Sequence, residues 1–162
     1  MSNLPITRMT LYKHGKQVLE ESANAPYDLI LLDVMIGRPD GIEVLKCLKA
    51  DDATRGIMVI LLTGLASLDH RVRGFEAGAD DFISKPVDTA LLLARIRALL
   101  RVKQVLDAWR LRTDTARDLG VGSVETPRDE TFGARLLFAG GSVSEAEAVV
   151  SALAPEGIFV EH

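Results

Sequence analysis

Short apolar runs recur along this chain, and stretches with a helical spacing of apolar residues separate them. Residues 29–32 and 57–62 are continuous apolar runs that are too short for helices and are bounded by polar residues. Runs of this kind are typical of parallel strands that are buried on both faces. Apolar and polar residues alternate over 6–12, as in a half-exposed edge strand, and residues 81–84 form a short strand before a Lys-Pro pair. Because helical segments lie between these strands, the pattern predicts an α/β fold with a doubly wound parallel sheet.

Each of these strands is followed by a segment with helical spacing. Helices are predicted over 16–23 and 42–50, in a third segment that ends at Gly78, and from Val87 onward. The last helix has no Gly or Pro before Gly120, and its residues 89–115 alone would span about 40 Å, more than one small domain needs. A coiled-coil seam and an ordinary core stripe both explain the spacing of apolar residues in its far half, namely Leu99, Val102, Leu106 and Trp109.

The chain loses this periodicity after residue 115, where glycines and charged residues become frequent, as in a linker. Structure resumes with a predicted strand over 135–139 and a helix over 146–153, and Ser144 and Glu147 match a capping box at its start. A further strand begins over 158–160. The predicted organisation is a first domain, a linker and a segment too short to be a domain by itself, over residues 1–115, 116–134 and 135–162.

Composition narrows the class of protein. With 162 residues, 48% of them apolar and 26% charged, the chain has the composition of a soluble globular protein. Its formal net charge of −4 argues against binding to nucleic acid or to anionic membranes. No apolar run approaches membrane-spanning length, and the amino terminus lacks the pattern of a signal peptide. Cys47 is the only cysteine, which fits a reducing compartment, so we expect a cytoplasmic protein.

Polar residues follow three of the predicted strands. Asp33, Thr63 and Lys85 stand at or directly after the carboxyl ends of successive strands. In a parallel sheet these ends lie on one rim, where ligands usually bind, so the three side chains can converge. A carboxylate, a hydroxyl and an ammonium together suit a tetrahedral oxyanion formed on the carboxylate.

These residues and the sequence motifs around them resemble a response-regulator receiver domain. This domain is the phosphoacceptor module of two-component signalling and has a flavodoxin-like sheet. The intervals of 30 residues from Asp33 to Thr63 and 22 residues from Thr63 to Lys85 match that family. The resemblance runs from about Thr7 to Leu106. Its motifs are Asp28-Leu-Ile-Leu-Leu-Asp33-Val-Met, Asp40-Gly41, Leu62-Thr63-Gly64, Gly78-Ala79-Asp80-Asp81-Phe82 and Ser84-Lys85-Pro86.

The resemblance implies a role for each matching residue. Asp33 would be the phosphoacceptor, served by a histidine kinase or a phosphotransfer protein. Thr63 would be the switch hydroxyl that follows the phosphoryl group, Lys85 its cationic partner, and Phe82 the aromatic rotamer switch. The resemblance also implies Mg²⁺, with Asp33 and the carbonyl of Met35 among its ligands.

The chain departs from the family at its first strand. The family opens with a strand that ends in an acidic pair and helps to hold Mg²⁺, whereas no such pair precedes Asp33 here. The arrangement most resembles PleD-type regulators, which carry two receivers in tandem before a diguanylate cyclase domain. On that reading residues 135–162 open a degenerate second receiver whose acidic pair is replaced by Gly140-Gly141. Mg²⁺ would then be held weakly.

A receiver sheet without its central strand would leave backbone groups unpaired on two strands. We therefore expect residues 135–139 to fill that place, either within the chain or across a swapped dimer. The extended helix offers a second route to a homodimer.

Two functions follow from these expectations. The first is a phosphorelay receiver that signals by conformational change, and the second is a phosphorylation-independent adaptor that keeps the fold for docking. An enzyme is not expected, because His14, His70 and His162 show no partnered nucleophile and no Gly-x-Ser-x-Gly elbow occurs.

Overall fold

The described residues of the computed structural model are 6–64, 68–119, 134–140, 142–153 and 159–161. They form six strands and five helices in the predicted alternating order. The strands are β1 (Ile6–Tyr12), β2 (Leu29–Asp33), β3 (Met58–Thr63), β4 (Asp81–Ser84), β5 (Ala134–Ala139) and β6 (Phe159–Glu161). The helices are α1 (Gly15–Asn24), α2 (Gly41–Ala50), α3 (Leu68–Ala77), α4 (Thr89–Leu119) and α5 (Val143–Leu153).

All six strands belong to one parallel sheet in the order β4-β3-β2-β5-β1-β6. Strand β5 of the same chain lies between β1 and β2, and Phe138 is paired with Leu11 on one side and Leu31 on the other. At the start of β5 the backbone N–H of Arg135 donates to the Asp28 carboxylate at 2.9 Å. This strand therefore occupies the central place between β1 and β2.

The sheet has an apolar layer on each face, as a doubly wound fold requires. Leu29 and Leu31 of β2 point to the layer that contains α4 and α5, whereas Ile30 and Leu32 point to the layer that contains α1, α2 and α3. Every residue of β2 is buried. This two-sided burial explains the unbroken apolar run in the sequence and confirms the predicted α/β fold.

Three predicted details differ in the structure. Strand β1 is not at the edge of the sheet, because β6 pairs with it over Arg8 to Thr10. Helix α4 continues to Leu119, into the range predicted as linker, and residues 120–133 lie outside the described part. Helix α5 begins at Val143, and its first turn is capped by Ser142 rather than Ser144, since the Ser142 hydroxyl accepts from the N–H of Glu145 at 3.2 Å.

Helix α4 packs on the sheet only through its first half. Leu92, Ile96 and Leu100 are buried in the core, and Leu99 packs against it. Beyond them the predicted seam is exposed, with Val102, Leu106 and Trp109 showing 49%, 44% and 68% of their surface. The homodimer through this helix stays a prediction. Within the ranges that the structure describes, no helix is long and apolar enough to cross a membrane.

Candidate functional site

Asp33 ends the most deeply buried strand and is itself only 2% exposed. One carboxylate oxygen, Oδ1, accepts a hydrogen bond from the backbone N–H of Met35 at 2.8 Å. The other, Oδ2, accepts from the Lys85 ammonium at 2.5 Å. A buried carboxylate is costly unless it is paired in this way, so the Lys85 contact accounts for the charge at the end of β2.

The loop after Asp33 is held by the Asp40-Gly41 pair. A side chain on Gly41 would clash with the backbone of Asp33 and Val34, so only glycine allows this close approach. The N–H of Gly41 donates to the carbonyl of Val34 at 2.9 Å. Asp40 and Glu43 form a capping box that starts α2 at this point. These contacts fix the backbone of the loop that follows Asp33.

Thr63 ends the neighbouring strand β3, and its side chain is 1% exposed. Its carbonyl accepts from the N–H of Lys85 at 2.7 Å, which ties the ends of β3 and β4 together. No hydrogen-bond partner for its hydroxyl Oγ1 exists among the described residues, which omit 65–67. A buried hydroxyl without a partner costs about 1–3 kcal/mol, so Thr63 is a donor that a ligand at this rim would satisfy.

Lys85 follows β4 and bridges two carboxylates. Its ammonium lies 2.5 Å from Asp33 and 2.6 Å from Oε1 of Glu145, at the start of α5. Desolvation by burial lowers the pKa of Lys85, but the hydrogen bonds to Asp33 and Glu145 and the charges of both carboxylates outweigh it and raise that pKa above 10.5. Lys85 is therefore a full positive charge at neutral pH.

The Lys85–Glu145 contact was missed by sequence reasoning. Glu145 does stand three residues after Ser142, the spacing of a capping box, and that signal could have placed it in the first turn of α5. Its approach to Lys85 depends on the position of β5 beside β2, which no local pattern gives.

Phe82 lies in β4, on the opposite layer of the sheet from α4 and α5. Its ring is half-buried and packs against Phe75 of α3, with centroids 4.5 Å apart and planes tilted by 54°. Gly74 makes room for it, because a side chain there would meet the Phe82 ring. The ring thus joins the strand that carries Lys85 to an outer helix.

A magnesium site of the kind implied by the resemblance needs more acidic ligands than the described residues supply. The end of β5 carries Gly140, and a side chain there would clash with the ring of Phe138. No group of three or more His, Cys, Asp or Glu side chains suited to a metal occurs in the part of the chain that the structure covers. Both oxygens of Asp33 already accept hydrogen bonds. The residues present therefore do not make up an acidic pocket for Mg²⁺, which requires near-octahedral oxygen ligands.

The rim combines a buried carboxylate, an unpaired buried hydroxyl and a lysine at the carboxyl ends of adjacent parallel strands. This fold and site define a class of phosphoacceptor signalling modules. The family model of the response regulator receiver domain matches residues 4–97, more than half of the chain. The chain belongs to the response regulator receiver domain family, whose members accept phosphoryl groups from histidine kinases.

Among curated relatives, the chain is 39% identical to the response regulator PleD of Caulobacter vibrioides over 142 residues. This alignment covers 88% of the chain but only 31% of PleD, so the chain spans about a third of the length of this relative. A stretch of 142 residues in a chain of 162 must include β5. The similarity to PleD therefore extends beyond residues 4–97, which the family model matches, and includes β5.

Solved receiver domains share the fold. The signal receiver domain of a signal transduction histidine kinase from Syntrophus aciditrophicus is 27% identical with a TM-score of 0.53, over 59% of this chain and 90% of that one. The receiver domain of the sensor histidine kinase PA1611 from Pseudomonas aeruginosa is 20% identical with a TM-score of 0.54, over 59% and 98%. That PA1611 structure holds a magnesium ion in its active-site cleft.

Proposed function

We propose that this chain is a phosphorelay receiver in which Asp33 accepts a phosphoryl group from a histidine kinase or a phosphotransfer protein. The observation that carries the proposal is the geometry of Asp33, a buried carboxylate paired with Lys85 beside the unpaired hydroxyl of Thr63.

In the transfer, a carboxylate oxygen of Asp33 forms a bond to phosphorus while the phosphorus–nitrogen bond of a phosphohistidine breaks. The electron pair of that bond goes to the imidazole nitrogen, which takes up a proton. The Lys85 ammonium lies at 2.5 Å from Asp33 and would neutralise charge on the phosphoryl oxygens. The backbone N–H of Met35 donates to the same carboxylate and orients it.

Signalling would follow from Thr63 and Phe82. The Thr63 hydroxyl is satisfied once phosphoryl oxygens are present, so the phosphorylated state pulls the end of β3 toward Asp33. Phe82 packs on α3, and a change in its rotamer would alter that helix. We infer that the output is a conformational change and not an enzymatic activity, and that α4, whose first half packs on the other face of the same sheet, passes this change on.

The alternative is a phosphorylation-independent adaptor that uses the same fold for docking. Its support is the glycine at the end of β5, where the packing of Phe138 leaves no room for a side chain. For the same reason we propose that Mg²⁺ binds weakly, through Asp33 and the carbonyl of Met35.

We further propose a homodimer through the exposed seam of α4 and a cytoplasmic location. The seam supports the dimer because Val102 and Leu106 are about half-exposed apolar residues at coiled-coil spacing. The exposed free thiol of Cys47 fits a reducing compartment. Light scattering of a Val102→Asp, Leu106→Asp double variant would give a monomer if the seam forms the dimer, and an unchanged mass would contradict it.

The experiment that tests the proposed function is intact mass spectrometry after incubation with acetyl phosphate and Mg²⁺. The expected result is a single phosphoryl adduct that is absent in Asp33→Asn. Asp52→Asn is the matched control, because Asp52 is an exposed surface residue with 85% of its side chain accessible. No adduct in the folded natural chain, or an adduct retained in Asp33→Asn, would favour the adaptor.

A further inference from the structure

One charged residue of the rim belongs to neither the predicted site nor the acidic pair of the family. Glu145 lies in the first turn of α5, and its side chain is 26% exposed. Its Oε1 and the Oδ2 of Asp33 both lie within 2.6 Å of the same lysine nitrogen. These two oxygens are therefore no more than about 5 Å apart.

We propose that Glu145 is a positioning residue of the phosphoacceptor site, whose carboxylate holds Lys85 and competes for it with the phosphoryl group on Asp33. This inference rests on the proposed function, since the competition requires a phosphoryl group at Asp33. In this role, Glu145 disfavours the phosphorylation of Asp33.

The charges at the rim give the direction of the effect. In the unphosphorylated chain two carboxylates share one ammonium, so the local charge sums to one negative unit. A phosphoryl group replaces the single charge of Asp33 by one approaching two. With Glu145 still ionised nearby, the one ammonium of Lys85 cannot neutralise both groups, and the anions repel each other.

Local packing keeps this arrangement in place. At Gly140, directly after β5, a side chain would meet the ring of Phe138. The carboxylate that reaches Lys85 comes instead from α5, whose start is fixed by the Ser142 cap on the N–H of Glu145. Helix α5 is fixed in the core by buried Val149 and Leu153. The Glu145 carboxylate, which contacts Lys85, therefore belongs to a helix that is packed against the sheet.

Coupling between two sites is reciprocal. If the phosphoryl group weakens the Lys85–Glu145 contact, Glu145 must disfavour phosphorylation of Asp33 by the same factor. Because both side chains are partly exposed and screened by salt, the coupling lies at the low end of the usual range, on the order of five-fold.

The test compares phosphoryl uptake from acetyl phosphate in the natural chain, Glu145→Gln and Glu147→Gln. Glutamine keeps the shape of the side chain and an acceptor for Lys85 but removes the charge. Glu147 is exposed on the same helix, so its variant carries an equal change in charge without the contact to Lys85. Unfolding midpoints and circular dichroism of all variants establish that each one is folded.

At equilibrium with a fixed ratio of acetyl phosphate to acetate, the expected result is an about five-fold higher ratio of phosphorylated to unphosphorylated chain in Glu145→Gln and an unchanged ratio in Glu147→Gln. Raised salt should shrink the difference, which a purely structural role of Glu145 would not produce. An equal or lower phosphorylated fraction in folded Glu145→Gln overturns this inference and leaves the proposed function standing. No adduct in any variant overturns the proposed function and the inference together.

Discussion

Phe138 is the residue by which the place of β5 in the sheet can be tested most directly. Its side chain is 1% exposed, and the residue is paired with Leu11 of β1 and Leu31 of β2. Truncation of a buried phenylalanine to alanine removes its burial energy and leaves a cavity, at a cost of about 3–5 kcal/mol. Because an ordinary domain is stable by only about 5–15 kcal/mol, Phe138→Ala should lower the urea midpoint severely.

The matched control is Phe75→Ala on α3, where the ring is 64% exposed. Its loss should cost about 1 kcal/mol, mostly its contact with Phe82. Urea titrations followed by circular dichroism give both values. If Phe138→Ala costs no more than Phe75→Ala, β5 does not hold the centre of the sheet. A midpoint that still rises with protein concentration in the Val102→Asp, Leu106→Asp variant, in which the α4 seam is disrupted, would instead show that β5 is supplied by a second copy.

Three further predictions concern the rim. Thr63→Val should raise the free energy of unfolding by about 1 kcal/mol, because it removes a buried hydroxyl without a partner. The same variant should abolish any phosphorylation-dependent change in the NMR signals of Phe82. A marked loss of stability in urea titrations would contradict the first expectation. Because the pKa of Lys85 is raised above 10.5, its ammonium stabilises the fold below that pH, and this contribution is lost as the pH rises through the raised pKa. In urea titrations, the difference in stability between the natural chain and Lys85→Met should therefore shrink above pH 10.5. A difference that stays constant would refute this prediction. Gly140→Ala should cost about 1–3 kcal/mol through its clash with Phe138, and a neutral result would show that the ring can move.

The strands of this fold were predictable because each buried strand is a continuous run of apolar residues in the sequence. The run ending at Asp33 is apolar on both faces, and the structure buries every one of its residues. The edges were less predictable. Strand β1 alternates like an edge strand, yet the short β6 covers it, and this pairing brings together residues from opposite ends of the chain.

The convergence at the rim was predictable in part. Parallel strands bring their carboxyl ends together, so Asp33 and Lys85 meet as the strand order requires. Glu145 was not predictable, because its contact with Lys85 depends on which strand enters the gap beside β2 and on the residue at which α5 begins. The capping residue decides that start, and two serines at nearby positions offered the choice.

The same strand that completes the sheet also delivers the carboxylate that competes with the phosphoryl group. Strand β5 leads directly into α5, and only Ser142 and its neighbour glycines separate Phe138 and Ala139 from the first turn. A perturbation that loosens β5 therefore withdraws Glu145 from Lys85. By reciprocity, a phosphoryl group on Asp33 must favour looser packing of β5 and α5 by the same free energy. The predicted sign can be read by hydrogen exchange: amides of β5 should exchange faster in the phosphorylated chain, and Glu145→Gln should reduce that difference, whereas slower exchange would contradict the competition.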